Sequence, residues 1–480
     1  MAGAYYLQQR LPETRFVILE AEETFGGTWH THNYPGIRSD SDLHTFGYSF
    51  KPWVGPPIAT AEEILSYMGE VLDENDIERH VRYRHRIETA DWSAADNVWR
   101  ISAKKADGER AEFTANFLWM CQGYYRHREG YMPDWDGVAD FKGTLVHSEE
   151  WPEGLDYSGQ KVVVIGSGAS AATIVPAMTD QAAHVTMLQR SPTFFRSGRN
   201  AIEIAEELRT LQVDETWIHE ITRRKILYEQ AVFTDLCRER PEVVKKQMIG
   251  ELQKLLGDSC PVDPHFTPTY RPWRQRIAFV PDGDLFQGVV EGKASVVTDE
   301  IVRFVENGIL LKSGEVLEAD LIVASTGFNM SVMGDIDFSI DGAPLDWHET
   351  VTYRGMMFTG VPNLAWVLGY WRASWTLRSE LVADFVCRLL DHMRSTGAAS
   401  VVPDIPEAER GMALHDWIED EDFNPAYLKR AAPFLPRRGE SRQWRHTQDY
   451  WREKDELPKI DLAGEEFRYR WAENAVVAAE

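Results

Sequence analysis

The chain has 480 residues, 43% of them hydrophobic and 26% charged, which is typical of a globular protein of about three domains. Its 51 basic and 76 acidic residues give a net charge of −25. Without a local basic patch, such a chain repels phosphate backbones, so we expect no nucleic-acid partner. The four cysteines form no CxxC pair, and neither they nor the histidines follow a metal-ligand spacing, so we expect no metal.

The sequence contains no stretch that predicts a membrane-spanning helix. Its longest uncharged run, residues 162–178, is short for a bilayer and contains Gly, Ser, Thr and Pro. The first eleven residues do not resemble a signal peptide. We therefore expect a cytoplasmic protein without an integral membrane segment, and association with the membrane surface is left open.

The first elements resemble part of a dinucleotide-binding unit. Residues 2–9 predict a helix, and residues 15–20 predict a strand that ends in Glu20. An acid at this place accepts hydrogen bonds from ribose hydroxyls and normally follows the Gly-rich turn by about 20 residues. Counting back from Glu20 runs past Met1, so the first strand and its Gly-rich turn are missing. Either the true start lies upstream, or the chain is truncated and binds its first dinucleotide poorly.

A pair of glycines follows Glu20 and supports the same interpretation. Gly26 and Gly27 would let the backbone run close to a flat ligand. Thr28 offers a hydrogen bond and Trp29 a stacking face. A glycine pair alone is also compatible with a plain turn, but its combination with Glu20 favours a dinucleotide site.

A second nucleotide unit begins at residue 161. Residues 161–165 predict a buried parallel strand, and a helix is predicted from residue 172. The turn between them consists of Gly166, Ser167, Gly168, Ala169, Ser170 and Ala171. In such a GxGxxA turn, the first glycine makes the bend and the second lets backbone N–H groups approach a pyrophosphate. A small third residue then packs the helix on the sheet.

The next strand, residues 184–188, carries information about the nucleotide. It is followed by Gln189, Arg190 and Ser191, without a carboxylate. An acid would repel a 2′-phosphate, whereas Arg and Ser would bind it. The sequence therefore favours NADPH over NADH.

The remaining chain predicts a helical insertion and one more buried strand. Residues at about 200–260 are charged and periodic, with few Gly or Pro, which predicts helices. Residues 320–325 predict a buried strand that ends at Thr326 and Gly327. A Trp-rich loop at 370–375 and a long helix near 379–394 follow, before a polar, partly irregular tail.

Residues 141–152, FKGTLVHSEEWP, carry a specific motif. They match FxGxxxHxxxWP through Phe141, Gly143, His147, Trp151 and Pro152, and this pattern resembles the fingerprint of type I Baeyer–Villiger flavin monooxygenases. The runs GGTW, YPGIRSDSD, MLQRSPT and ASWTL are similar to those of the ethionamide-activating monooxygenases of actinobacteria. The resemblance extends from Met1 to about Leu390 and weakens in the tail.

The resemblance implies a fold and a reaction. The fold is α/β, with two Rossmann-like domains that bind FAD and NADPH. Residues 1–138 form the truncated first part of the FAD domain, 139–320 the NADPH domain with its helical insertion, and 321–480 the second part of the FAD domain and the tail. NADPH reduces FAD, and O2 then gives a C4a-peroxyflavin that converts a ketone to an ester or lactone. The expected substrate is a small apolar ketone or, since the same oxidant attacks sulfides and thioamides, a sulfur compound.

The resemblance also implies site residues. Arg276 matches the active-site arginine, which stabilises the negatively charged oxygens of the reaction and holds the nicotinamide. Asp40 matches the acid that faces this arginine and contacts FAD. His147 is implied to couple domain movement rather than to contact substrate. The predicted cofactor contacts are completed by Ile87 for FAD and by Arg38 and Ser39 for NADPH.

Two other functions are compatible with the sequence. One is a related flavin monooxygenase that oxygenates nitrogen or sulfur and does not need an arginine to keep a peroxyanion. The other is a non-catalytic protein that kept the NADPH unit and lost flavin. Arg276 and the terminal Trp-Pro of the motif favour the Baeyer–Villiger reaction.

Overall fold

The structure, a computed structural model, describes residues 1–419 and 421–471, excepting the side chain of Arg128. A five-stranded parallel sheet, called the parallel sheet below, forms the centre of one half of the molecule. Its strands are, in spatial order, Ala294–Thr298, His184–Gln189, Lys161–Ile165, Leu321–Ala324 and Thr144–His147. The fourth strand lies beyond residue 320, where the predicted second segment ends, and the fifth includes the histidine of the FxGxxxHxxxWP motif.

The parallel sheet is apolar because both of its faces are covered. Helices Ala169–Met178 and Asp284–Val290 pack on one face. The other face is covered by an antiparallel sheet of strands Ile301–Val305, Gly308–Leu311 and Val316–Glu318. Buried positions therefore run along whole strands instead of alternating, as in Leu321–Ala324.

Three helices occupy the predicted insertion: Glu203–Thr210, Glu215–Glu239 and Pro241–Leu256. The second begins after Asp214, whose carboxylate accepts the N–H of Thr216, and the third begins with a proline, which is favoured at this position. A parallel pair of strands, Phe194–Gly198 and Ile277–Pro281, lies between the insertion and the parallel sheet.

The other half of the molecule joins the two ends of the chain. Strand Leu118–Met120 pairs with Leu364–Trp366, Tyr125–Gly130 with Phe328–Met330, and His85–Ser93 with Asp337–Ile340. The last pair belongs to a five-stranded sheet completed by Val98–Lys105, Arg110–Ala115 and Ala343–Pro344. Trp92, Trp99 and Trp366 fill the core between these sheets. The first and third predicted segments thus form one packed unit.

Helices and short strands complete this half. Ala61–Glu74 begins with a reciprocal capping box between Thr60 and Glu63, and Trp375–Thr396 ends at a left-handed Gly397. The remaining helices are Ala2–Arg10, Thr28–Thr31, Leu43–Phe46, Val262–His265, Ala426–Ala431 and Tyr450–Glu456. The remaining strands are Ile18–Leu19 with Val81–Arg82, Thr352–Tyr353 with Met357–Phe358, and Ala398–Pro403 with Phe467–Trp471.

The C-terminal segment, residues 404–419 and 421–471, is packed against the core. Arg378 and Glu453, both fully buried, form an ion pair at 3.0 Å, and Tyr370 donates to the same carboxylate at 2.5 Å. Residues 420 and 472–480 of the predicted third segment lie outside the described residues. In the described part of the chain, no helix is both long and apolar enough to cross a membrane.

Candidate active site

An ion pair between Arg276 and Asp40 lies where the two halves meet. The guanidinium Nη2 is 3.1 Å from Asp40 Oδ2, and the side chains are 36% and 27% exposed. The carboxylate of Asp40 raises the pKa of Arg276, so this guanidinium stays charged at every relevant pH. The pair predicted by resemblance is therefore formed, although 236 residues separate its members.

Aromatic side chains surround this ion pair. The phenols of Tyr124, Tyr125 and Tyr427 all lie close enough to the guanidinium to affect its pKa. Tyr124 stacks on Trp375, with ring centroids 4.7 Å apart and planes at 14°. Burial raises the pKa of each of the three phenols, so they remain neutral hydrogen-bond donors. These tyrosines were not predicted from the sequence, although Tyr124 and Tyr125 lie four and five residues after the end of strand Leu118–Met120, a place where ligand-binding residues often lie.

The loop that carries Arg276 is held by neighbouring elements. Trp273 has a left-handed backbone with φ of 62°, which is uncommon for a bulky residue. Its carbonyl accepts from Arg372 Nη2 at 3.3 Å, and the carbonyl of Arg274 accepts from the N–H of Asn424 at 2.9 Å. Arg276 itself directly precedes strand Ile277–Pro281.

The loop that carries Asp40 connects the two halves. Arg38 donates to both carboxylate oxygens of Asp284, at 2.5 and 3.2 Å, and Asp284 begins a helix that packs on the parallel sheet. Ser39 is buried, and its N–H donates to the carbonyl of Ala59 at 2.9 Å. The predicted contacts of Arg38 and Ser39 with NADPH remain predictions, and the Arg38 guanidinium already has a carboxylate partner.

The residues predicted to contact the first dinucleotide lie around a short parallel strand pair. Glu20 directly follows Ile18–Leu19, and its carboxylate accepts the N–H of Glu22 at 2.9 Å. Burial raises the pKa of Glu20. Gly26 and Gly27 both have positive φ, 122° and 54°, and a Cβ on Gly27 would meet no atom within 4 Å. The backbone is thus open to close approach by a ligand at Gly27.

Other residues of this region fit the same ligand. Trp29, next to Thr28 in a single helical turn, packs edge-on against Phe46 with centroids 5.9 Å apart. Both polar atoms of the Gln122 side-chain amide are buried without a partner among the described residues. Such orphaned groups after a strand end fit a polar ligand. Ile87 lies farther along and packs, half-buried, on the Trp-rich core.

The predicted second turn has the geometry of a phosphate-binding turn. Gly166 has φ of 133°, and a Cβ there would lie 2.2 Å from the carbonyl oxygen of Ser325. Gly168 is the N-cap residue of helix Ala169–Met178, and because it has no side chain it leaves the first N–H groups of the helix without a capping partner. A Cβ on Gly168 would meet no atom within 4 Å. The first N–H groups of this helix are therefore open to an anion. Ala171 is fully buried against the sheet.

Hydroxyl groups border this turn. The Ser167 hydroxyl is 2.9 Å from that of Thr193, and the Ser170 side chain lies near the Tyr34 phenol. At the end of the next strand, the Gln189 amide donates to the carbonyl of His265 at 2.6 Å and to Thr298 at 2.9 Å, so its nitrogen is engaged within the protein. The following residues, Arg190 and Ser191, are exposed and fit a 2′-phosphate.

His147 is buried between the two halves. It ends the edge strand Thr144–His147 of the parallel sheet, and a Cβ on Gly130 of the other half would lie 2.1 Å from its ring. Its Nδ1 accepts the N–H of Glu149 at 3.1 Å, and burial lowers its pKa, so the ring is neutral. The structure thus pairs Arg276 with Asp40, whereas His147 contacts Gly130 and Glu149 at the boundary between the halves. In the part of the chain that the structure covers, no group of His, Cys, Asp and Glu could hold a metal ion.

The chain is similar to flavin monooxygenases along most of its length. The FAD-containing monooxygenase EthA of Mycolicibacterium smegmatis is 43% identical over 453 residues, which cover 94% of this chain and 91% of that protein. EthA of Mycobacterium tuberculosis is 42% identical over 458 residues, 94% and 92% of the two chains. The probable FAD-binding monooxygenase AlmA of Acinetobacter baylyi is 40% identical over 457 residues, 95% and 90%. The chain therefore belongs to the family of FAD-containing monooxygenases.

Solved structures show the same fold. Oxidized steroid monooxygenase bound to NADP superposes with a TM-score of 0.75 at 23% identity, covering 98% of both chains. The open structure of cyclohexanone monooxygenase gives 0.72 at 18% identity, covering 98% of this chain and 96% of that one. The complex of OTEMO with FAD and NADP gives 0.67 at 20% identity, covering 84% and 85%. A family model described as L-lysine 6-monooxygenase/L-ornithine 5-monooxygenase matches residues 66–254.

These comparisons confirm the predicted family, the α/β fold and the oxidoreductase class. The protein is a flavin monooxygenase, and FAD and NADP, the predicted cofactors, both accompany this fold in the solved structures. A monooxygenase consumes O2, as predicted.

Proposed function

We propose that this protein converts ketones to esters or lactones with NADPH and O2, and that it also oxygenates sulfur compounds. The ion pair of Arg276 with Asp40 carries the proposal. In the reaction, a ketone, O2, NADPH and a proton give the ester, NADP⁺ and water. One oxygen atom is inserted between the carbonyl carbon and its neighbour, and the other leaves as water.

The residues of two regions would hold the cofactors. Glu20, Gly26 and Gly27 would face FAD, with Thr28, Trp29, Ile87 and Asp40 along the same ligand. The turn from Gly166 to Ala171 would hold the NADPH pyrophosphate on helix N–H groups, and Arg190 and Ser191 would meet its 2′-phosphate. When bound and reduced, FAD activates O2 for attack on the substrate.

The side chains around Arg276 fit the charge that develops on the substrate. Arg276 would stabilise the negative charge on the substrate oxygen after attack, and Asp40, 3.1 Å away, would orient it. The rings of Tyr124, Trp371 and Trp375 form an apolar wall that would exclude water. This wall fits a small apolar ketone or sulfide.

His147 would act at a distance from the reaction. Its ring is buried at the junction of the two halves, where its Nδ1 accepts the N–H of Glu149. We assign to it the coupling of movement between the halves, which would let the nicotinamide adopt different positions for reduction and for oxygen insertion.

Replacing Arg276 tests the reaction type. We expect Arg276→Ala to abolish ester formation from a cyclic ketone, with a loss of 10²-fold or more, on the order expected for removal of an oxyanion-stabilising group. Arg276→Lys, which keeps the positive charge but loses the planar guanidinium with its several N–H donors, should retain partial activity. The yield of ester, the NADPH consumed and the visible flavin spectrum are measured together. Undiminished ester formation by Arg276→Ala would contradict the proposal.

Nitrogen oxygenation is the second candidate, favoured by the match of residues 66–254 to the lysine/ornithine monooxygenase model. It predicts that Arg276→Ala keeps amine oxygenation and that wild type forms no ester. The family assignment favours either enzyme over a non-catalytic NADPH-binding protein.

We also propose a cytoplasmic location, with attachment to the membrane surface tested by sedimentation with vesicles.

A further inference from the structure

A phenol from the C-terminal segment reaches the candidate active site. Tyr427 lies in helix Ala426–Ala431, and its ring packs against Phe328 at a centroid distance of 4.3 Å and lies 6.2 Å from Trp371. Its hydroxyl oxygen is buried and has no hydrogen-bond partner among the described residues. Its ring centroid lies 6.3 Å from that of Tyr124. Burial raises the pKa of the Tyr427 phenol, and the nearby cation of Arg276 partly offsets this rise.

Among the tyrosines that the structure describes, only Tyr427 has a buried hydroxyl without a hydrogen-bond partner. The Tyr67 hydroxyl donates to the carbonyl of Lys51 at 2.8 Å, and the Tyr370 hydroxyl donates to Glu453. Leaving a buried donor unsatisfied costs about 1–3 kcal/mol, so such a group needs an explanation, and a bound ligand supplies one. An oxygen atom of a ligand, placed beside the fixed cation of Arg276, would accept hydrogen bonds from both the guanidinium and the Tyr427 hydroxyl.

Two anchors fix the position of Tyr427. On one side, Asp422 binds Arg372 at 2.9 Å and Arg271 at 3.1 Å. On the other side, Arg430 donates to the carbonyl of Phe328 at 2.8 Å, and its guanidinium lies 3.6 Å from the ring centroid of Tyr131. Helix Ala426–Ala431, which follows Asp422 and contains Arg430, is therefore held on the wall of the site. The position of the Tyr427 phenol is thus fixed before a ligand binds.

We propose that Tyr427 is a substrate-binding residue whose hydroxyl donates a hydrogen bond to the carbonyl oxygen of a ketone held beside Arg276. This inference rests on the proposed function and specifies its substrate contact. The hydrogen bond from Tyr427 would make the enzyme discriminate between ligands with a strong oxygen acceptor and ligands without one. A thioether sulfur accepts hydrogen bonds only weakly, so sulfides would not use Tyr427.

The test compares cyclohexanone with thiane, a ring of the same size whose sulfur replaces the carbonyl carbon. Binding of each to the oxidised holoenzyme with NADP⁺ is measured by titration calorimetry, and KM and kcat are measured for turnover. We expect Tyr427→Phe to raise the Kd and KM for cyclohexanone about 5- to 10-fold, as for one lost hydrogen bond, and to leave both thiane values within twofold. Tyr228→Phe, 64% exposed on the insertion, is the control and should change neither.

The outcomes separate this inference from the proposed function. Equal weakening of both ligands would assign Tyr427 a packing role and overturn the inference, as would unchanged binding of cyclohexanone. Since binding is measured without turnover, the inference is judged even if wild type forms no ester. If Tyr427→Phe weakens only the binding of cyclohexanone and wild type forms no ester, the result supports the role of Tyr427 in binding. The same result contradicts the proposed reaction.

Discussion

Gly166 is a position where both backbone and packing demand glycine. Its φ of 133° is strained for any residue with a side chain, and a Cβ would lie 2.2 Å from the carbonyl oxygen of Ser325 on the adjacent strand. We expect Gly166→Ala to lower the free energy of unfolding by about 2–4 kcal/mol. Urea unfolding of the purified protein measures this change.

Gly168→Ala is the matched control for the same turn. Gly168 has φ of −77°, and a Cβ on it would meet no atom within 4 Å, so its substitution should leave stability within about 1 kcal/mol. If backbone N–H groups of this turn hold the pyrophosphate, the same change should weaken NADP⁺ binding about tenfold. Equal stability of the Gly166 and Gly168 variants would contradict the packing argument.

Glu149 makes stability depend on pH. It is buried, its Oε2 has no partner among the described residues, and burial, reinforced by Glu150, raises its pKa to about 8. The folded-state pKa exceeds the ordinary glutamate value of 4.5, so this group costs stability as pH rises from about 4.5 to about 8. We expect Glu149→Gln to match wild type near pH 5 and to be more stable at pH 9 by about 2–4 kcal/mol.

Thermal unfolding at pH 5, 7 and 9 measures the effect of Glu149. Glu153→Gln, an exposed acid four residues away, should reproduce the wild-type profile. If the Glu149 variant retains the wild-type loss of stability at alkaline pH, ionisation of this carboxyl is not its cause.

At the scale of elements, the C-terminal segment and the Arg276 loop are held together by one carboxylate. Asp422 binds Arg372, whose side chain is only 6% exposed and which also donates to the carbonyl of Trp273. Asp422→Ala would leave the buried cation of Arg372 with backbone partners only, the carbonyls of Trp273 and of residue 422, and would loosen the loop. We expect a loss of about 2–3 kcal/mol in stability and about a tenfold lower kcat.

If loosening of the loop by Asp422→Ala displaces Arg276, the ratio of the reaction products should also change. With Asp422→Ala, a larger share of the NADPH consumed should yield hydrogen peroxide instead of oxygenated product. Glu421→Ala removes the neighbouring, exposed acid and should leave the product ratio unchanged. A destabilised Asp422 variant with the wild-type ratio would limit Asp422 to a structural role.

The sequence predicted some of these elements and not others for physical reasons. Strands Lys161–Ile165 and Leu321–Ala324 were predictable because parallel strands buried on both faces are uninterrupted apolar runs. Arg276 and Asp40 look like ordinary surface charges without the family resemblance. Tyr427 could not be predicted, since it lies in a polar tail whose position depends on ion pairs between distant residues, such as Asp422 with Arg372.

At the scale of the whole molecule, the helical insertion docks close to the active site. Arg223, in helix Glu215–Glu239, donates to the carbonyls of His44, Thr45 and Gly47 at 2.9, 3.2 and 2.9 Å. These carbonyls belong to the single helical turn that follows the Asp40 loop. The insertion therefore supports the active-site loop from outside, and conditions that displace it should also affect activity.

Two histidines make this docking sensitive to acid. His44 and His219 are buried in the two helices that meet there. Burial, aided by Arg209 near His44 and by Arg223 near His219, lowers the pKa of both to about 4. Both pKa values lie below the ordinary histidine value of 6.5, so the contribution of the two neutral rings to stability is complete above pH 6.5. It is lost as pH falls from 6.5 towards 4, because the unfolded chain binds the protons more readily.

Replacing one histidine should reduce this acid sensitivity. We expect His219→Leu to retain about 1–2 kcal/mol more stability than wild type on going from pH 7.5 to pH 5. Urea unfolding at both pH values, with flavin absorbance as a second signal, measures the difference. His415→Leu, at an exposed position, should behave like wild type. Equal acid-induced losses in wild type and His219→Leu would show that the insertion is not released by histidine protonation.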